Sequence, residues 1–283
     1  MATWAEAPLL VPLDGRDDSL RAIPIAGRIA RRLGNELQVV GIVSKQDEVE
    51  ERGVWLHDVA ARHLGDEAFT AAVAVADDVA AEITNIAEPG NLICMATAGS
   101  VRFHAGHWGS VAEAVAREVA RPMLMVGPNV DTAPGQATQR VVAPMDGSSH
   151  AEAAAVPAAE LAAALGVPLW LVEVASPMDQ ASQATHHSGV VIPTEEQYVT
   201  ALVERLGMVA DVEIHHEVLQ SENAATAIVD FVGDDGTAVM STHGRSGLGR
   251  LFAGSVSAGV VAHSSRAVVV IRPDQARYEG AEQ

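Results

Sequence analysis

The chain has 283 residues, a formal net charge of −19, 48% apolar and 19% charged residues, and one cysteine, Cys94. That length suits one large domain or two of about 140 residues with ample core, and no apolar run approaches the length of a membrane span. The acidic balance excludes a nucleic-acid backbone or an anionic membrane as partner, and a lone cysteine excludes an intrachain disulfide, so a reducing, cytoplasmic setting is expected.

In chain order, Pro8-Leu-Leu-Val-Pro-Leu-Asp14 reads as a buried parallel strand with proline where pairing stops. A helical stretch over 19–33 ends at Gly34, and Leu37–Val43 reads as a second strand. Lys45–Arg52 is a solvated helix start, Phe69–Val75 a third strand, 79–88 a helix and Leu92–Met95 a fourth strand. Ala96-Thr97-Ala98-Gly99 follows, then nine residues, then Gly109-Ser110-Val111 and a last apolar strand within Arg121–Pro128.

From residue 140 the series repeats. Val141–Asp146 is a strand ending in aspartate, 149–165 a helix stopped by Gly166, and Pro168–Ala175 and Val212–Val218 are strands. A helix over 222–233, a strand Ala238–Met240, the loop Ser241-Thr242-His243-Gly244 to Gly254-Ser255-Val256 and a strand within Arg266–Pro273 complete it. Gly99 to Gly244 and Gly109 to Gly254 are each 145 residues apart, whereas Asp14 and Asp146 are 132 apart. The second half therefore carries 13 extra residues, which fall most naturally in a Ser/Gln/His-rich loop over 176–194. The expected layout is a domain over 1–130, a linker over 131–139, and a domain over 140–283 with a polar tail from 274. Strand–helix–strand spacing makes the fold class α/β, two tandem five-stranded parallel sheets with right-handed crossovers.

Parallel sheets of this kind bind ligands beyond the carboxyl ends of the strands. Both aspartates end a first strand, and both glycine loops follow a fourth strand. Gly109-Ser110 and Gly254-Ser255 each open a helix whose free N–H groups and positive dipole end favour phosphate. An aspartate beside them suits hydroxyl or amino donors such as those of ribose or adenine. A Walker-type P-loop is excluded, because Lys45 is the only lysine and lies in neither loop.

A strand-one aspartate with Gly-x9-Gly-Ser/Thr resembles the ATP-binding subclass of the universal stress protein family, and two copies resemble its tandem members. The segment Ser241–Ser257 carries the most specific part of the resemblance, which extends over about residues 7–128 and 140–273. It implies a Rossmann-like, adenine nucleotide hydrolase-like fold with pseudo-two-fold symmetry, and ATP or another adenine nucleotide as ligand, with or without Mg2+. Carried over, it puts Asp146 at the ribose and the backbone of Ala175 and Met240 at adenine. Gly244, Gly254, Ser255 and Ser257 would hold the phosphates, and Thr242, Arg245 and Val256 complete that site. In the first half the same roles fall on Asp14, Val43, Met95, Gly99, Gly109, Ser110 and Val111.

The halves differ. The family's first loop glycine is Ala96 in one copy and Ser241 in the other. Ser257 and Ala258 are matched by Ala112 and Glu113, and Gly249, Phe252 and Ala253 by His104, His107 and Trp108. The second site is thus expected to be the stronger.

The resemblance implies a nucleotide-dependent regulatory protein in stress response, acting through conformation or an unidentified protein partner, without catalytic residues. A slow ATPase using His243 or Glu113 and a nucleotide-free scaffold are the alternatives. No metal site is expected from the histidine pairs, and Cys94 reads as a core residue. The terminal strands Met123–Val126 and Val268–Ile271 are expected to pair with each other inside the chain, and a homodimer follows by symmetry.

Overall fold

The computed structural model describes residues 4, 8–87, 92–97, 108–119, 121–133, 137–176, 195–242 and 255–272. The first half contains β1 (Leu9–Leu13), α1 (Asp17–Leu20), α2 (Ala22–Leu33), β2 (Leu37–Val43), α3 (Val49–Leu64), β3 (Thr70–Val75), α4 (Val79–Ile86), β4 (Leu92–Ala96), α5 (Ser110–Glu118) and β5 (Met123–Val126). The second contains β6 (Arg140–Met145), α6 (Ser149–Glu152), α7 (Ala155–Leu165), β7 (Leu169–Ala175), α8 (Glu195–Gly207), β8 (Ile214–Gln220), α9 (Ala224–Val232), β9 (Gly236–Ser241), α10 (Ser255–His263) and β10 (Val268–Ile271).

The strands form one sheet in the order β3-β2-β1-β4-β5-β10-β9-β6-β7-β8. Every pairing is parallel except the central one, where β5 and β10 run antiparallel with Leu124 opposite Val269. The two five-stranded halves expected from sequence are therefore joined into a single ten-stranded layer, and the expected pairing of the terminal strands holds. This seam gives each half's last strand a partner, leaving only β3 and β8 as edges.

Alternation along the strands decides which face each residue enters. Leu124, Val126, Val269 and Ile271 join a core under α2, α3 and α7. Met123, Met125, Val268 and Val270 join a second core with residues of α5, α9 and α10. Both cores run through both halves without a break.

Two helices lie where the sequence reading placed little. α3 runs 16 residues and buries only Leu56, Val59, Ala60 and Leu64, so its acidic first turn extends the solvated start seen at Lys45–Arg52. α8 runs from Glu195 to Gly207 and seats Leu202 and Leu206 in the core. The 176–194 stretch lies outside the described residues after Ser176.

Close packing across the seam is visible at Gly127. A Cβ there would lie 1.9 Å from the Val261 carbonyl oxygen in α10, so only glycine fits. Asn129 Nδ2 donates to the Ala262 carbonyl at 3.0 Å, and the Asp131 N–H to that of Ser265 at 2.9 Å. The start of the linker is thus pinned to the end of the second half. Among the described residues no helix is long and apolar enough to cross a membrane.

Candidate functional site

Within each half the strand order reverses between the first and fourth strands, which is where a crevice opens at the carboxyl edge. Leu10 pairs with Ile93, and Val142 with Ala238. Continuing those registers sets Asp14 level with Thr97 and Asp146 level with Thr242. The sheet therefore brings each aspartate beside the start of its glycine loop, with Val43 or Ala175 ending the strand on the other side.

Both aspartates fold back on the turn they open. Asp14 Oδ1 accepts from the Arg16 N–H at 2.9 Å, and Asp146 Oδ1 from the Ser148 N–H at 3.0 Å. The intervening Gly15 and Gly147 have φ of 90° and 72°, which a side-chain-bearing residue rarely adopts. Beyond this shared turn they differ. Asp14 is exposed and has the Arg16 guanidinium 3.6 Å from its second oxygen. Asp146 is half-buried, and the Ser148 hydroxyl donates to it at 2.6 Å.

The loops leave the sheet from matched anchors. The Thr97 N–H donates to the Val126 carbonyl at 3.0 Å, and the Thr242 N–H to the Ile271 carbonyl at 2.9 Å. Thr97 and Thr242 are both buried, as are Met95 and Met240 at the ends of β4 and β9. Thr97 belongs to the first-half loop motif but was not among the expected site residues, although it stands 145 residues before Thr242.

At the far end of each loop a helix begins, and here the copies diverge most. Gly109 precedes α5 with φ of 106°. Glu113 reaches back from the first turn, and its Oε1 accepts the Trp108 N–H at 2.9 Å. The Trp108 side chain is fully buried among Met95, Ala112 and neighbouring core residues. The first half thus places its own carboxylate at its helix start. α10 has no acidic residue in its first turn. Ser255 is exposed at its start with Val256 half-buried behind it, and the buried Ser257 hydroxyl donates to the Thr242 carbonyl at 3.5 Å. Ser110 and Val111 occupy the corresponding positions of α5, exposed and half-buried.

A second residue missed from sequence is Arg52 on α3. A Cβ on Gly15 would lie 2.7 Å from its Nη1, so its guanidinium rests on the turn after Asp14. Gly99, Gly244, Arg245 and Gly254 lie outside the described residues, as do His104, His107, His186, His187 and His243. Of the other histidine pair, His215 stacks on Trp170 and pairs with Glu213. Cys94 is buried with its thiol 3.7 Å from the Ala22 carbonyl, and burial pushes its pKa up, which disfavours the reactive thiolate.

Residues 137–272 match the model of the Universal stress protein family. The second half is therefore a domain of the universal stress protein family. A universal stress protein from Archaeoglobus fulgidus DSM 4304 superposes with a TM-score of 0.66 at 20% identity, covering 95% of this chain and 97% of its own. A protein of Pseudomonas aeruginosa UCBPP-PA14, provisionally named a universal stress protein, covers 99% of both chains with a TM-score of 0.62 at 18% identity. The two-halved α/β fold is thus shared along the full length of these proteins. A universal stress protein in complex with cAMP matches 49% of this chain and 100% of its own, at 20% identity and a TM-score of 0.38. A comparison with curated proteins gives no match.

Proposed function

We propose that this universal stress protein is an adenine-nucleotide-binding regulator whose second crevice is the working site. The observation that carries this reading is the contrast at the helix starts. Glu113 answers the positive end of α5 from within the chain, whereas α10 has no acidic residue in its first turn. A helix start of that kind has backbone N–H groups to offer an anionic ligand.

In this reading the N–H groups at Ser255, Val256 and Ser257 meet the phosphates, together with the loop residues Gly244, Arg245 and Gly254. Asp146 turns its half-buried carboxylate to the ribose hydroxyls, and the backbone near Ala175 and Met240 lines adenine. Mg2+ enters with the phosphates, since no three His, Cys, Asp or Glu among the described residues cluster to hold it. Phosphate contact then orders the loop between Thr242 and Ser255, and a protein partner or a second copy of the chain senses its shape. No residue is assigned a catalytic role.

The first crevice supports a second reading for that half alone, a scaffold with a filled pocket, because Trp108 and Glu113 occupy the helix start themselves. The chain purified without added nucleotide, heat-denatured and analysed for released ligand is expected to give about one adenine nucleotide per chain. Gly254→Ala is expected to abolish it. Asp146→Ala, which removes a charge-assisted hydrogen bond worth about 1.5–3 kcal/mol, is expected to weaken ATP about ten- to hundredfold. Absence of both bound nucleotide and any melting shift with ATP would sink the proposal.

A further inference from the structure

A cavity of about 370 Å3 lies at the seam between the halves, on the face of the sheet opposite α5 and α10. That volume is in the range of small-molecule sites, with room for roughly a dozen waters. Its floor is apolar and includes Ile25, Ile29, Leu124 and Leu165. Its walls carry Arg28, Arg31, Arg32 and Arg266. Four arginines in one cavity are unexpected in a chain of net charge −19.

Among the described residues one carboxylate lines the cavity, that of Asp131, and its Oδ1 is turned back to accept the Ala133 N–H at 2.9 Å. Arg31 is paired with Glu67. Arg28 donates to the Asp131 and Ala133 carbonyls and so holds the linker down. Arg32 gives one N–H to the Leu165 carbonyl at 2.6 Å, out of the five its guanidinium carries. Arg266 donates to Thr138 Oγ1 at 3.2 Å. Burial, followed by the neighbouring Arg28, pushes the Arg266 pKa down against the opposing pull of Asp235, Asp234 and Asp131. Arg28 and Arg266 thus press on one another, with Asp131, Asp234 and Asp235 offsetting part of that charge.

The internal repeat says what the fold itself requires. α2 and α7 end at left-handed glycines, Gly34 and Gly166, which sets the two helices in register. Arg28, Arg31 and Arg32 then stand where α7 has Glu160, Ala163 and Ala164. The same helix packs on the same sheet without them, so the arginines are an addition at this seam.

We propose that the cavity is a binding site, separate from both nucleotide crevices, for an amphiphilic anion. Its alkyl or aryl body lies on the Ile25, Ile29, Leu124 and Leu165 floor, and its carboxylate or phosphate head sits between the Arg32 and Arg266 guanidiniums. Cations on low-dielectric walls focus the field on the head group, while the apolar floor rejects a bare inorganic ion.

Calorimetric titration of the full chain with decanoate, decyl phosphate, decanol and decyltrimethylammonium tests this. Both anions are expected to bind at least tenfold more tightly than decanol, the cation not to bind, and saturating ATP to leave binding unchanged. The stronger of the two anions identifies the preferred head group. Arg32→Gln, at an exposed residue, and Arg266→Gln are each expected to weaken the anions about tenfold while sparing ATP. Ala267→Phe, which narrows the cavity without changing charge, is expected to abolish binding. Decanol binding as well as decanoate, displacement by ATP, or no anion binding at millimolar concentration would each overturn the proposal.

Discussion

Glu113 reaches from the first turn of α5 back to the Trp108 N–H, which sets a fixed negative charge at the helix end where an anionic ligand would otherwise be favoured. Removing that charge is worth about 0.3–1 kcal/mol to an incoming anion, or up to about fivefold in affinity. In a Gly254→Ala background, Glu113→Gln is therefore expected to raise ATP affinity at the first crevice several-fold, as read by titration. Unchanged affinity would mean that Trp108, rather than the carboxylate, closes that crevice. Cys94 gives a second test at this scale. Its thiol is buried and its pKa raised, so iodoacetamide at pH 8 is expected to leave the native chain unlabelled and to label it after denaturation. Glu160 also has its pKa raised by burial. A carboxyl raised in the folded state stabilises the fold at pH below that pKa and loses the contribution as pH rises through it. Glu160→Gln is expected to flatten that part of the stability profile in pH-dependent denaturant melts.

The elements show how far a sequence carries. β1, β2, β4 and β6 were legible because buried parallel strands read as continuous apolar runs, and the duplicated spacing confirmed each from the other copy. β3 and β8 shifted by one or two residues, since both are half-exposed edge strands whose apolar signal fades at the ends. α3 was visible only at its charged start. Just four of its 16 residues are buried, so the apolar stripe is sparse. The aspartates at the ends of β1 and β6 were legible from their spacing, but the Trp108–Glu113 bond and Arg52 on Gly15 were not, because they depend on side-chain reach. Gly127 was also silent in sequence, and it carries a prediction at this scale. Its close approach to Val261 leaves no room for a methyl group. Gly127→Ala is expected to cost about 1–3 kcal/mol by forcing α10 off the seam, seen as a drop in melting temperature. An unshifted melt would show that the seam is soft.

For the whole molecule, the antiparallel pairing of β5 with β10 closes two edges that separate halves would expose. A chain cut in the linker to give residues 1–133 alone leaves Met123–Val126 paired with β4 only, its other edge exposed. That fragment is expected to dimerise or aggregate at micromolar concentration, and a monomer by light scattering would contradict this account of the seam. The same pairing reverses strand direction between the halves, so the two crevices open at opposite edges of one layer. Any influence of one crevice on the other passes through the four intervening strands, β4, β5, β10 and β9. A covalent link between the copies has a further, genetic consequence. Two separate identical subunits would both receive a change such as tryptophan for alanine at the loop end, and would lose both crevices or neither. Here Trp108 is encoded once and Ala253 once. A body with two-fold symmetry in its backbone is thereby free to be asymmetric in its chemistry, one copy setting Trp108 and Glu113 at its helix start while the first turn of α10 carries no acidic residue.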